Sequence, residues 1–146
     1  MPAQRIDSKL RLTLREGSVY YFTERSLRSP ESHYFLVVNS NPLAQELLLL
    51  GVVTSKVAEV KRRRRNLPET VVQISPRDFD VFKKLSIVDC NDLKQVRLAE
   101  FNARFVRNDI RYFDKDLPAP LRNALRKAIH ASPLVADEIK TLVAGR

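Results

Sequence analysis

Over residues 17–91 the chain repeats one pattern: a short run of β-branched and aromatic residues, then a polar loop. The runs are SVYYF after Gly17, YFLVV from Tyr34 to Val38, GVVTS ending at Ser55, TVVQI, and LSIVDCN. Each has strand length and strand composition, and several at this spacing predict a small antiparallel barrel or sandwich. Only three glycines are present, so eight prolines and clusters of Asn, Asp and Ser must make the turns, with NSNP at 39–42 the strongest signal.

Helical signals lie between and after these runs. LAQELLLL is compatible with helix, whereas Gly51 and the VVT that follows draw the second half of that stretch toward a strand. Ser55 is placed to cap a short helix over KVAEVKRRRR, which Pro68 stops. Ser75-Pro76 starts a turn of helix running to Phe82. The stretch DLKQVRLAEFNARFVRNDI carries no period that assigns it. Beyond it, PAPLRNALRKAIHA places Leu121, Ala124, Leu125, Ala128 and Ile129 on one face. Ser132 then reads as the cap of a second helix, with Pro133 at its first position, Asp137 and Glu138 near its start and Gly145 past its end. The expectation is an α+β chain, mainly β, with a β domain over 1–98 and a helical extension over 99–146. The extension must bury its apolar face on that domain or on a partner.

A formal charge of +9 and a pI near 10.1 favour polyanionic partners: nucleic acid, an anionic surface or an acidic protein segment. With one cysteine, Cys90, no intramolecular disulfide and no Cys-rich zinc site can be built. His33 and His130 are the only histidines, so neither a metal nor a cofactor is expected. Cys90 follows the apolar SIVD and reads as a buried, inert thiol. No phosphate-binding glycine loop, dinucleotide fingerprint, HExxH or GxSxG occurs. The N-terminal MPAQRIDSKLRLTLREG has no apolar core of a signal peptide, and no apolar stretch is long enough to span a bilayer. A cytoplasmic protein without a membrane partner is expected.

Two groups of residues carry candidate chemistry. Glu31, Ser32 and His33 open the second strand, where an imidazole with an ordinary pKa of about 6.5 serves as acid or base near neutrality. Lys61, Arg62, Arg63, Arg64 and Arg65 form the densest cationic run: over 56–65, six positive residues against Glu59 leave +5 in ten positions. That suits phosphate contacts, although a solvated helix end complementing its dipole is the plain structural alternative. Thr54 and Ser55 with Lys56 could contact a phosphate or simply start a helix.

GSVYYF, PESHYFLVVNSNP, LLLLGVVTS and KLSIVDCN occur in the order found in the MazF/PemK (Kid) toxin superfamily, which the chain resembles over roughly residues 17–92. The resemblance implies an SH3-like antiparallel barrel and a homodimeric, metal-independent endoribonuclease acting on single-stranded RNA. Such toxins are held inactive by an acidic antitoxin. Carried over, the family's threonine role falls on Thr54, with Ser55 adjacent. The family's Arg-Pro is replaced here by His33-Tyr34, so the arginine role passes to Arg28 or Arg25 upstream. In that scheme His33 is acid or base and Glu31 orients it or is the base. Arg25, Ser55, Lys56 and the run from Lys61 to Arg65 hold the RNA. The rival reading is a non-catalytic module binding nucleic acid or an acidic peptide.

Overall fold

A computed structural model describes residues 5–24, 27 and 31–145. The first helix, α1 (Ser8–Thr13), is started by Asp7, whose carboxylate accepts from the Lys9 and Leu10 N–H groups at 3.0 and 3.2 Å. Strands β1 (Val19–Phe22) and β2 (His33–Val37) pair antiparallel. The NSNP turn becomes a one-turn helix, α2 (Pro42–Gln45), capped by Asn41. There follow β3 (Leu47–Thr54), α3 (Val57–Arg63), a 3-10 turn at Pro68–Thr70, β4 (Val71–Ile74) and β5 (Ser86–Asp89). The stretch without a sequence period resolves into β6 (Lys94–Arg97), α4 (Leu98–Val106) and the approach to β7 (Arg111–Phe113). Two helices close the chain, α5 (Ala119–Ala131) and α6 (Asp137–Lys140).

The seven strands form one antiparallel sheet in the order β4-β5-β3-β2-β1-β7, with β6 also on β3. Central β3 is long enough to serve two neighbours on one side. Residues Leu47, Leu48, Leu49 and Leu50 face β6, while Val53 and Thr54 face β5. LLLL is therefore strand and not helix: Glu46, in the left-handed region at φ 56°, ends α2 and turns the chain into β3. Leu48 and Leu50 pack into one apolar cluster, Leu47 and Leu49 against the other. A strand buried on both faces reads as a continuous apolar run, which periodicity cannot separate from helix.

The two clusters cover opposite faces of the sheet. Val19, Leu36, Val38, Leu49, Val53 and Val88 pack with Phe79, Phe82 and the α5 side chains Leu125, Ala128 and Ile129. Tyr20, Phe22, Phe35, Val37, Leu48 and Leu50 pack with Leu10 and Leu14 near the N-terminus and with Leu98 and Phe101 of α4. Among the described residues strand pairing does not close the sheet into a barrel: its path ends at β4 and β7. Covering both faces with helices buries the sheet without closure. Nor is the segment after residue 98 helix alone, because β7 pairs with β1 and continues the sheet edge.

The expected helical hairpin is half present. The α5 face is as the sequence spaced it, with Leu121 and Ala124 packed against the core at its margin. The second helix is a single turn, and Ser132 does not cap it. Its buried hydroxyl donates to Asn91 Oδ1 at 2.5 Å and accepts from the Leu134 N–H at 3.1 Å, ending α5 instead. Among the described residues no helix is long and apolar enough to cross a membrane.

Candidate functional site

The neighbouring ends of β2 and β3 meet at one edge of the sheet. Tyr34 lies opposite Val53, so the next position sets His33, first residue of β2, beside Thr54, last residue of β3. The same row continues to Phe22 on one side and Ile87 on the other. His33 and Thr54 are both half-buried and share two adjoining clefts.

The larger cleft, of about 430 Å³, opens on the α5 side of the row. Glu31, Ser32, His33, Thr54, Ser55 and Lys56 line it. Tyr21 and Tyr34, with ring centroids 4.8 Å apart, form its apolar wall with Phe82, 5.0 Å from Tyr34. Exposed Lys83 and Lys84 also line it. The smaller cleft, of about 180 Å³, lies toward α3 and is lined by Val52, Val60, Arg63, Asp89 and Asp92 besides His33 and Thr54. A third cleft of about 380 Å³ shares Tyr21 and Ser32 with the first and carries Arg104 and Arg111. Tyr21, Lys83, Lys84, Arg104 and Arg111 thus join the candidate residues, and of these only the adjacent lysines in FKKLS carry a signal in the sequence itself.

Local hydrogen bonds define what each group offers. His33 Nδ1 lies 3.2 Å from the Glu31 carbonyl oxygen, which can only accept, so Nδ1 carries the proton and donates. In the neutral ring this leaves the Nε2 lone pair as the base. The Glu31 backbone carbonyl thus helps fix the orientation of the imidazole. Thr54 Oγ1 accepts from the Lys56 N–H at 3.2 Å, which leaves its own O–H to donate. Ser55 was expected to cap α3, but Lys56 stands at the cap, with no side-chain hydrogen bond there.

The arginine run divides. Buried Val60 fixes α3 against the sheet, and Asp89 at the end of β5 takes both Arg63 Nη2, at 3.4 Å, and Arg64 Nε, at 3.0 Å. Lys61, Arg62 and Arg65 remain exposed. Burial alone would raise the Asp89 carboxyl. Hydrogen bonds from the Asn91 side chain and backbone, with the Arg64 guanidinium, outweigh it and hold the group below the usual carboxylate range. Cys90 next to it is buried, its thiol pushed up to about 12 by burial and then by the Asp89 charge, which matches an inert cysteine.

Arg25 and Arg28, expected to supply the cation, lie outside the described residues. Among the described residues no group of three or more His, Cys, Asp or Glu side chains is placed to hold a metal ion. No protein-family model matches the chain, and no curated protein matches it.

Proposed function

We propose that the chain is an endoribonuclease of the MazF/PemK type, the toxin of a toxin–antitoxin pair, cleaving single-stranded RNA without metal at the cleft shared by His33 and Thr54. The observation that carries this reading is their juxtaposition at the ends of adjacent strands, in a polar cleft rimmed by lysines. His33 Nε2 takes the proton of a ribose 2′-hydroxyl, and the 2′-oxygen attacks the adjacent phosphorus. The bond to the leaving 5′-oxygen breaks, a 2′,3′-cyclic phosphate forms, and the imidazolium returns its proton to the leaving oxygen. The Thr54 hydroxyl donates to a non-bridging oxygen as charge builds there. Glu31, Ser55 and Lys56 border the scissile phosphate. Tyr21 offers a face for a flanking base, as aromatic groups do in single-strand binding.

On this reading the sheet corresponds to the SH3-like barrel of that superfamily, the protein works in the cytoplasm, and a second copy and an acidic antitoxin are its protein partners. A non-catalytic nucleic-acid- or acidic-peptide-binding module is the second reading. It is favoured by the His33-Tyr34 pair standing where the superfamily has Arg-Pro.

Incubating the protein with a long RNA in EDTA separates them. Cleavage to 2′,3′-cyclic ends that drops by about 10²-fold or more in His33→Ala, and by a smaller factor in Thr54→Ala, supports the enzyme. Intact RNA with salt-dependent retention in a gel shift supports the binder.

A further inference from the structure

The cleft has a base and a hydroxyl donor, but its exposed lysines are flexible point charges, poorly suited to holding one phosphate in one orientation. The smaller cleft offers a cation of another kind. Arg63 lies on α3, and its side chain is 52% exposed while lining the same space as His33 and Thr54. Its contact to Asp89, at 3.4 Å through Nη2, steers the guanidinium without exhausting its five N–H donors. Register places Asp89 two residues beyond Ile87, which lies opposite Thr54, so Asp89 faces the same side of the sheet as Thr54.

Asp89 is itself fixed. Its Oδ1 accepts from the Asn91 N–H at 3.1 Å and Asn91 Nδ2 at 2.7 Å. Asn91 in turn donates to Thr70 Oγ1 at 2.7 Å and accepts from Ser132 at the end of α5. Oδ2 is left for Arg63 and Arg64, and the Asp89 side chain is only 10% exposed. This network gives Arg63, which lines the cleft, a fixed carboxylate to rest on at 3.4 Å. The other acid there, Asp92, lies 3.7 Å from Lys94, which offsets its charge.

We propose that Arg63, held by Asp89, is the phosphodiester-binding cation of this cleft, contacting the non-bridging oxygens of the phosphate that His33 and Thr54 flank. The inference rests on the reading of the cleft as an RNA site. Asp89 is a positioning residue that acts through Arg63. The remaining members of the run, Lys61, Arg62 and Arg65, hold neighbouring phosphates only as diffuse charge.

The test uses two readouts on full-length protein. The first is single-turnover cleavage of a labelled RNA in EDTA. The second is binding of a single-stranded oligodeoxyribonucleotide, which lacks the 2′-hydroxyl and survives intact, followed by anisotropy and by the His33 ring NMR signals. Arg63→Ala is expected to slow cleavage by about 10²–10³-fold. It should also lower the oligonucleotide's salt slope by about 0.7, the share of one phosphate contact, and abolish the His33 shift. Arg63→Lys should recover part of the rate, and Arg77→Ala, at an exposed position outside the three clefts, should match wild type. Asp89→Asn should slow cleavage while leaving the salt slope unchanged, and adding it to Arg63→Ala should slow nothing further.

An Arg63→Ala protein within twofold of wild type in both readouts overturns the proposal, even if RNA is cut through His33. Wild type that leaves RNA intact, while Arg63→Ala still removes the His33 shift and the slope, sustains the phosphate site and sinks the nuclease reading alone. Oligonucleotide binding that never reaches the His33 signals overturns the proposal outright.

Discussion

Asp89 accepts hydrogen bonds from Asn91 and from two arginines while almost fully buried, and its ionised form is the one those donors favour. Because its folded pKa is depressed, the stability it adds is complete above the unfolded carboxylate value of about 3.9 and is lost as pH falls through the folded value. Asp89→Asn should therefore cost about 2 kcal/mol at pH 7, the range for hydrogen bonds to a charged group. The deficit should shrink as pH falls below about 3.9, where the unfolded chain takes up the proton first, and close only as the depressed folded carboxyl is itself protonated. Urea unfolding of both proteins from pH 7 to 2.5 measures this, and a constant gap across that range would sink the argument. Of this residue-scale chemistry, the isolated imidazole, the inert Cys90 and the hydroxyl of Thr54 were legible from residue type. The partner of Arg63 was not, since Asp89 lies 26 positions away and meets it only because β5 runs past α3.

At the scale of elements, β3 organises the sheet, and Gly51 lets it do so. Leu36 lies opposite Gly51 on one side, and a Cβ at Gly51 would come within 3.0 Å of Val88 Cγ1. Gly51→Ala should lose about 1–2 kcal/mol through overpacking, measured by denaturant midpoint at unchanged m-value. In a Val88→Ala background the same substitution should cost less. An equal cost in both backgrounds would place the strain elsewhere. Five strand runs were readable as strands because β-branched and aromatic residues crowd them. The β3 leucines, β6, α4 and β7 were not. A strand covered on both faces has no alternation, and β6 and β7 are too short, at four and three residues, to display a period.

For the whole molecule, one core spans both sides of residue 98. Leu117, Leu125, Ile129, Val135 and Val143 are buried in the same cluster as Val19, Leu36 and Val88. At about 1.5–3 kcal/mol each, their burial is worth on the order of 10 kcal/mol. The entire net stability of a domain is about 5–15 kcal/mol. A fragment of residues 1–98 should therefore fail to fold: circular dichroism should show no cooperative melt, and its amide spectrum should collapse into the random-coil range. A dispersed spectrum with a sharp transition would show the β segment to be autonomous.

By itself the sequence determined the strand-rich character of residues 17–91, the amphipathic face of α5, the cationic surplus and the inertness of Cys90. These follow from side-chain volume, branching, charge and spacing along a few turns of chain, which act locally. The tertiary structure decided that the sheet stays open with both faces covered, that His33 meets Thr54 in one row, and that Arg63 turns from a surface charge into a braced one. Those outcomes depend on register and on which face each strand presents, and they exist only once segments distant in the chain have packed against each other.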